Sequence, residues 1–237
     1  QRYIDDYSNA AGLAQARALH ARAKWLAGDA AGAAPLFDAI FQEASAGDIT
    51  PGYKLAPCLD AGLSAARAYL AAGETLPARE TFSKLRQRAD SGIADLEEDS
   101  TARYVLQRLS LEARAGEGFV LLASKQAKQA ITFFDSQLTS ATKTQSALRY
   151  ASLLGLGEAF LAEGRIREAQ LKFAEVSSLD HTDRDRVAEA LFQLAESTQT
   201  LADPNSTGTV KAWLESIVND YGDTLWANPA RKRLESM

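Results

Sequence analysis

One spacing of small and large apolar residues recurs five times along the chain. Its clearest copy lies within residues 156–176 and consists of a small residue, an aromatic residue, a turn glycine and an Ala-x-x-x-Phe-x-x-Val segment: Gly157, Phe160, Gly164, Ala169, Phe173 and Val176. Apolar residues three and four positions apart lie on one face of an α-helix. The spacing therefore predicts two amphipathic helices joined by a tight turn. Small residues are expected where the helices cross, because an interaxial distance of about 8–10 Å depends on the contacting side chains.

Four other segments repeat this spacing. The copy around Gly73 contains Ala66, Tyr69, Ala78, Phe82 and Leu85. The copy around Gly28 contains Ala21, Ala33, Phe37 and Ile40, with Lys24 in place of the first aromatic residue. The copy around Lys125 contains Gly118, Leu121, Ala130 and Phe134, with Gln137 at the last apolar position. The fifth contains Leu194, Ala195, Val210, Leu214 and Ile217, with a turn expanded over residues 201–208.

The positions between these copies also favour helices. Asp29, Thr75 and Asp183 stand where a helix needs a side-chain acceptor at its N-terminus. No run of four to eight residues alternates apolar and polar side chains in the manner of a strand. Residues 226–237 read as a final polar helix, which a helical array needs to cover its last apolar face. The sequence predicts an all-α fold.

The segment from Tyr150 to His181 resembles a tetratricopeptide repeat, through the Leu156-Gly157 pair and the Ala169-x-x-x-Phe173 spacing. The resemblance extends over roughly residues 10–235 and implies a TPR-like α-solenoid of about five helical hairpins with a C-terminal capping helix. We expect one domain over residues 1–237, with units 10–45, 56–91, 102–140, 146–180 and 184–221 and a cap at 226–237.

Two features qualify the resemblance. Successive small residues, from Ala21 to Ala195, are 45, 52, 39 and 38 residues apart, whereas the family period is about 34. Another class of α-solenoid therefore stays open. The tail from Tyr221 to Ala227 resembles repeat ends of bacterial envelope proteins, with Gly222 where a proline is usual.

The resemblance also implies which side chains line a concave groove. The first helix of each pair faces that groove, and the residue after the small packing residue points into it: Arg22, Arg67, Phe119, Glu158 and Glu196. The groove would be basic at its N-terminal end, apolar in the middle and acidic at its C-terminal end. Further carboxylates one helical face away extend the acidic part: Asp60, Glu112 and Glu189. This polarity would orient a peptide of mixed charge. The alternative is that these charges are solvated or pair with one another.

We therefore expect a non-catalytic scaffold that binds a protein or peptide in the groove. The alternative is a structural or self-assembly module, or a spacer in a larger, membrane-anchored bacterial protein. In that case a second copy, or the chain's own residues 2–8, would fill the groove.

Catalytic and metal-binding residues are sparse. His20 and His181 are far apart in sequence, and Cys58 is the only cysteine, with no base that could be assigned to it. A thiolate metal cluster is excluded by the cysteine count. The sequence predicts no enzyme, no cofactor and no metal site.

Charge and hydropathy bear on other partners. The net charge is −5, and lysine and arginine form no stripe, so we expect no nucleic-acid partner. Charged residues interrupt every long apolar stretch, so we expect no insertion of this segment into a membrane. Because the chain opens with Gln1, we expect an anchor, a signal or another domain upstream. An anchor would place the chain on the extracytoplasmic (periplasmic) side of a bacterial membrane; the alternative is the cytoplasm.

Overall fold

A computed structural model describes residues 13–43, 55–98, 100–142, 145–179, 183–201 and 206–237. These residues form eleven α-helices and no strand: α1 Leu13–Leu26, α2 Ala30–Glu43, α3 Leu55–Ala71, α4 Thr75–Ala94, α5 Thr101–Ala123, α6 Ala127–Ser140, α7 Ser146–Ala162, α8 Ile166–Ser177, α9 Arg184–Thr200, α10 Thr207–Asp220 and α11 Ala227–Glu235. The predicted all-α fold is confirmed for this part of the chain. Within it, no helix combines the length and the apolar character that crossing a membrane requires.

The chain divides into two compact units, residues 1–124 and 125–237. In unit 1, each helix from α1 to α4 packs against the helix that follows it, and in unit 2 the same holds for each helix from α6 to α10. The helix α11 lies within residues 226–237, where the capping helix is expected, and the arrangement of the other described helices as five hairpins stays a prediction. The way in which the hairpins stack, and the grouping of 1–237 as one domain, stay predictions. His181 and residues 2–8 lie outside the described residues.

Four tight turns between helices use a left-handed backbone conformation. Gly28, Gly73 and Gly164 have φ of 90°, 81° and 74°, and Lys125 occupies the corresponding turn with φ of 60°. Glycine adopts this region freely, whereas a Cβ is strained there. The positive φ explains why the repeat has glycine at these turns. At the turn between α5 and α6, Lys125 stands in the place of that glycine.

Replacing Lys125 with glycine should raise the free energy of unfolding by about 0.5–1 kcal/mol, because it relieves the strained φ. Urea denaturation would measure the change. Lys211→Gly, at an exposed site inside α10, is the matched control and should lower stability by about 1 kcal/mol. A loss of stability in both variants would show that the Lys125 turn is not strained.

Among the described residues, side-chain oxygens cap α2, α5 and α9. Asp29 accepts a hydrogen bond from the Gly32 N–H at 2.8 Å, and Asp183 accepts one from the Arg186 N–H at 3.1 Å, both as predicted. Ser100 caps α5 in the same way, accepting from the Arg103 N–H at 3.2 Å. The expectation for Thr75 was wrong. Thr75 is already the first residue of α4, and the preceding Glu74 makes no side-chain capping bond.

Phenylalanine rings lie directly against glycines of neighbouring helices. Phe41 of α2 contacts Gly62 of α3, and Phe82 of α4 contacts Gly116 of α5. In unit 2, Phe134 of α6 contacts Gly155 of α7, and Phe173 of α8 contacts Gly157, also of α7. A Cβ at any of these glycines would overlap the ring, so the glycines let the ring reach the helix backbone. Close helix packing therefore accounts for the Gly116 and Gly155-Leu156-Gly157 segments.

Candidate partner-binding surface

In each unit, two helices that are not neighbours in sequence pack side by side. In unit 1, α3 packs against α5, and in unit 2, α7 packs against α9. All four are first helices of predicted hairpins. We call the charged surface along each of these pairs the first-helix face: Asp60, Arg67, Arg108 and Glu112 in unit 1, and Glu158, Arg186, Glu189 and Glu196 in unit 2.

The first-helix face of unit 1 is an ion-pair network centred on Glu112. The Glu112 side chain is only 2% exposed, and its Oε2 pairs with the Arg67 guanidinium of α3. Its Oε1 accepts from Arg108 Nη1 at 2.8 Å, one helical turn earlier on α5. The other end of the Arg108 guanidinium donates to Asp60 Oδ1 at 3.0 Å. Two carboxylates are thus matched by two guanidiniums, so the network is neutral.

This neutrality explains why Glu112 can be buried. A carboxylate removed from water is unfavourable unless opposite charges and hydrogen bonds replace the lost hydration. Glu112 receives both, from two different helices. Arg67, predicted to point into a groove, therefore joins α3 to α5.

The first-helix face of unit 2 has a different balance of charge. Glu158 of α7 is half-buried, and Glu189 of α9 acts on it electrostatically. Arg186 Nη1 lies 3.4 Å from Glu189 Oε2, and these two side chains are 9% and 18% exposed. Burial, and secondly the charge of Glu189, raise the pKa of Glu158 to about 8, and Arg186 opposes that rise. Two carboxyl groups thus share the neighbourhood of one guanidinium.

Glu196, about two helical turns after Glu189 on α9, pairs with α11. Its Oε1 lies 2.7 Å from Arg233 Nε, and the same guanidinium also bonds to Gln199. Arg233 thereby joins α11 to α9. This predicted groove residue is consequently engaged by the chain's own last helix.

The other two predicted groove residues lie in unit 1. Arg22 is exposed on α1, and Phe119 is half-buried on α5. Sequence reasoning did not single out three guanidiniums that complete these faces: Arg108, Arg186 and Arg233. A signal was present for two of them, since Arg108 precedes Glu112 by four residues and Arg186 precedes Glu189 by three, the spacings that bring helical side chains together.

The remaining candidates for chemistry are isolated. His20 is half-buried on α1. Burial, and secondly the charge of Glu43, raise the pKa of the half-buried Cys58 thiol, which disfavours the reactive thiolate. Among the described residues, no three His, Cys, Asp or Glu side chains come together as metal ligands would.

Comparison with known proteins adds no relative from which a role could be transferred. No protein-family model, no curated protein and no solved structure matches this chain significantly.

Proposed function

We propose that this chain is a non-catalytic, TPR-like helical-repeat scaffold that binds a protein or peptide along its first-helix faces. The observation that carries the proposal is the direct packing of α3 on α5 and of α7 on α9. Charged side chains of successive hairpins are thereby collected on one surface of each unit, as the inner face of a helical repeat requires.

Partial exposure of these charges supports a binding role. In unit 1, Asp60 is 56% exposed and Arg108 37% exposed, although both take part in the ion-pair network. A partner carrying charges of both signs could exchange with such exposed pairs, because solvent-exposed ion pairs contribute only about 0–1 kcal/mol to folding. Buried Glu112 would stay in place and hold the helices together. The proposed contact is therefore with the rim of the network and not with its centre.

Reversing the charges of exposed residues on the first helices tests this proposal. The double variant Arg22→Glu/Asp60→Lys inverts two exposed positions on first helices and leaves the net charge unchanged. The matched control, Arg79→Glu/Asp135→Lys, makes the same exchange at exposed positions on the second helices α4 and α6. With each chain as bait in an extract of its source cell, we expect a protein retained by the native chain and the control to be lost from the first-helix variant. Circular dichroism would verify that all three chains are folded.

Two results would contradict the proposal. Equal retention by all three baits would exclude Arg22 and the exposed Asp60 of unit 1 from binding. A native chain that retains nothing and self-associates in light scattering, with self-association lost in the first-helix variant, would favour the self-assembly module instead.

A further inference from the structure

Two acceptors on α9 bind one edge of the Arg233 guanidinium. Its Nε lies 2.7 Å from Glu196 Oε1, and its Nη2 donates to Gln199 Oε1. The two acceptors are three residues apart, so they lie side by side on the surface of the helix. A carboxylate oxygen and an amide oxygen thus receive two donors that an arginine holds in one plane at a fixed separation.

The cation that pairs with Glu196 comes from outside the first helices. Arg186, the guanidinium on the first-helix face itself, lies 3.4 Å from Glu189, about two turns earlier on α9. In unit 1 the buried carboxylate of Glu112 has both of its guanidiniums on the first helices α3 and α5. The first helices of unit 2 therefore carry an acceptor site that α11 fills with a side chain of its own.

This site is open to exchange. The side chains of Arg233 and Glu196 are 37% and 40% exposed, and ion pairs with this exposure contribute little to folding. The helix α11 is also attached independently of the ion pair, because it packs against α10 and its Ala227 and Ala230 are buried. Arg233 can therefore leave the site by rotation of its own side chain while α11 stays in place.

We propose that Glu196 and Gln199 form an arginine-binding site, which Arg233 occupies in the free chain and which an arginine of the protein partner takes over on binding. The inference rests on the proposed function and deepens it, since it specifies the segment bound by unit 2 as a basic peptide with an exposed arginine. A lysine would fit less well, because its ammonium group does not offer two parallel donors in one plane. Arg233 thus acts as an internal competitor of the partner.

Removing the internal competitor tests this site. Arg233→Met keeps an unbranched apolar side chain and removes the guanidinium. Arg231→Met, at an exposed position on the same helix, changes the net charge equally and is the matched control. The probe is the capped peptide Ala-Ala-Arg-Ala-Ala, titrated into each whole chain and followed by the NMR signals of the Gln199 side-chain amide. Circular dichroism would verify that the variants are folded.

We expect Arg233→Met to bind the peptide about tenfold more tightly than the native chain, because a competitor at millimolar effective concentration weakens a ligand of about 0.1 mM affinity by about that factor. Arg231→Met should bind like the native chain. Arg233→Lys, which keeps the charge of α11, is the second variant and should show a smaller gain. A peptide with citrulline, the neutral counterpart of arginine, should not bind.

Adding Glu196→Gln to Arg233→Met should abolish the gain. Equal affinity in the native chain, Arg233→Met and Arg233→Lys, or a gain that survives Glu196→Gln, would overturn the arginine-binding site. Either result would leave the proposed scaffold function standing, because that function is tested by charge reversal at Arg22 and Asp60, which lie in unit 1.

Discussion

Replacing Phe134 with alanine should lower the free energy of unfolding by about 3–5 kcal/mol, the range for deleting a buried aromatic ring. Phe134 is completely buried on α6, and its ring lies against the backbone of α7 at Gly155. The surrounding helices have little freedom to close the resulting cavity, because the ring fills a space shaped by a glycine. Denaturation in urea, followed by tryptophan fluorescence, would measure the loss.

The neighbouring Phe133 gives a matched control. It packs edge-on against Phe134, with ring centroids 5.6 Å apart, but is only half-buried. Phe133→Ala should cost about 1 kcal/mol, since a partly exposed ring loses less contact. The contact with Gly155 can be tested separately. Gly155→Ala alone should destabilise the native chain, but should be tolerated better in the Phe134→Ala background, where the added methyl group enters the cavity. Equal costs for Phe133→Ala and Phe134→Ala would contradict the ring–glycine contact as the source of stability.

Removing the carboxylate of Glu112 should lower the free energy of unfolding by an amount similar to that expected for Phe134→Ala. Glu112→Ala is expected to lower the free energy of unfolding by about 3 kcal/mol, because it leaves the guanidiniums of Arg67 and Arg108 without their shared counter-ion. The loss should be larger in low salt, since repulsion between the two guanidiniums is then least screened. Chemical denaturation at two ionic strengths would measure both effects.

Asp60→Ala is the control for this prediction. Asp60 contacts the same Arg108 guanidinium at 3.0 Å, but its side chain is 56% exposed. Removing it should cost less than about 1 kcal/mol, as is usual for surface ion pairs. If both variants lost the same stability, burial of Glu112 would not be the reason for its importance.

Much of the helical architecture could be predicted from the sequence because its signals are local. The turn at Gly73 and the spacing of Ala78 and Phe82 lie within one helical hairpin, where three- and four-residue steps decide which side chains share a face. The cap at Thr75 was predicted wrongly because a capping residue and the first helical residue differ by one position. Helix ends are the least certain part of such predictions.

The contacts between different hairpins could not be predicted from local residue spacing. Phe82 meets Gly116, 34 residues later, and Arg67 meets Glu112, 45 residues later. Which residues of two hairpins meet depends on the register in which one hairpin packs along the next. The spacing of residues within a hairpin contains no information on that register. The sequence indicated that charges would collect on the first helices. It did not indicate that those of unit 1 are balanced, or that burial and the charge of Glu189 raise the pKa of Glu158.

The contacts between phenylalanine rings and glycines also restrict how hairpins can be added to or removed from such a chain. Phe41, Phe82 and Phe134 each belong to one predicted hairpin, whereas Gly62, Gly116 and Gly155 belong to the following one. A gene duplication that copied a single hairpin would place a phenylalanine ring next to a helix that need not have a glycine at the position contacted by the ring. Successful duplication or recombination would have to move donor ring and recipient glycine together. In these three contacts, the second helix of one predicted hairpin and the first helix of the next therefore form the matched pair.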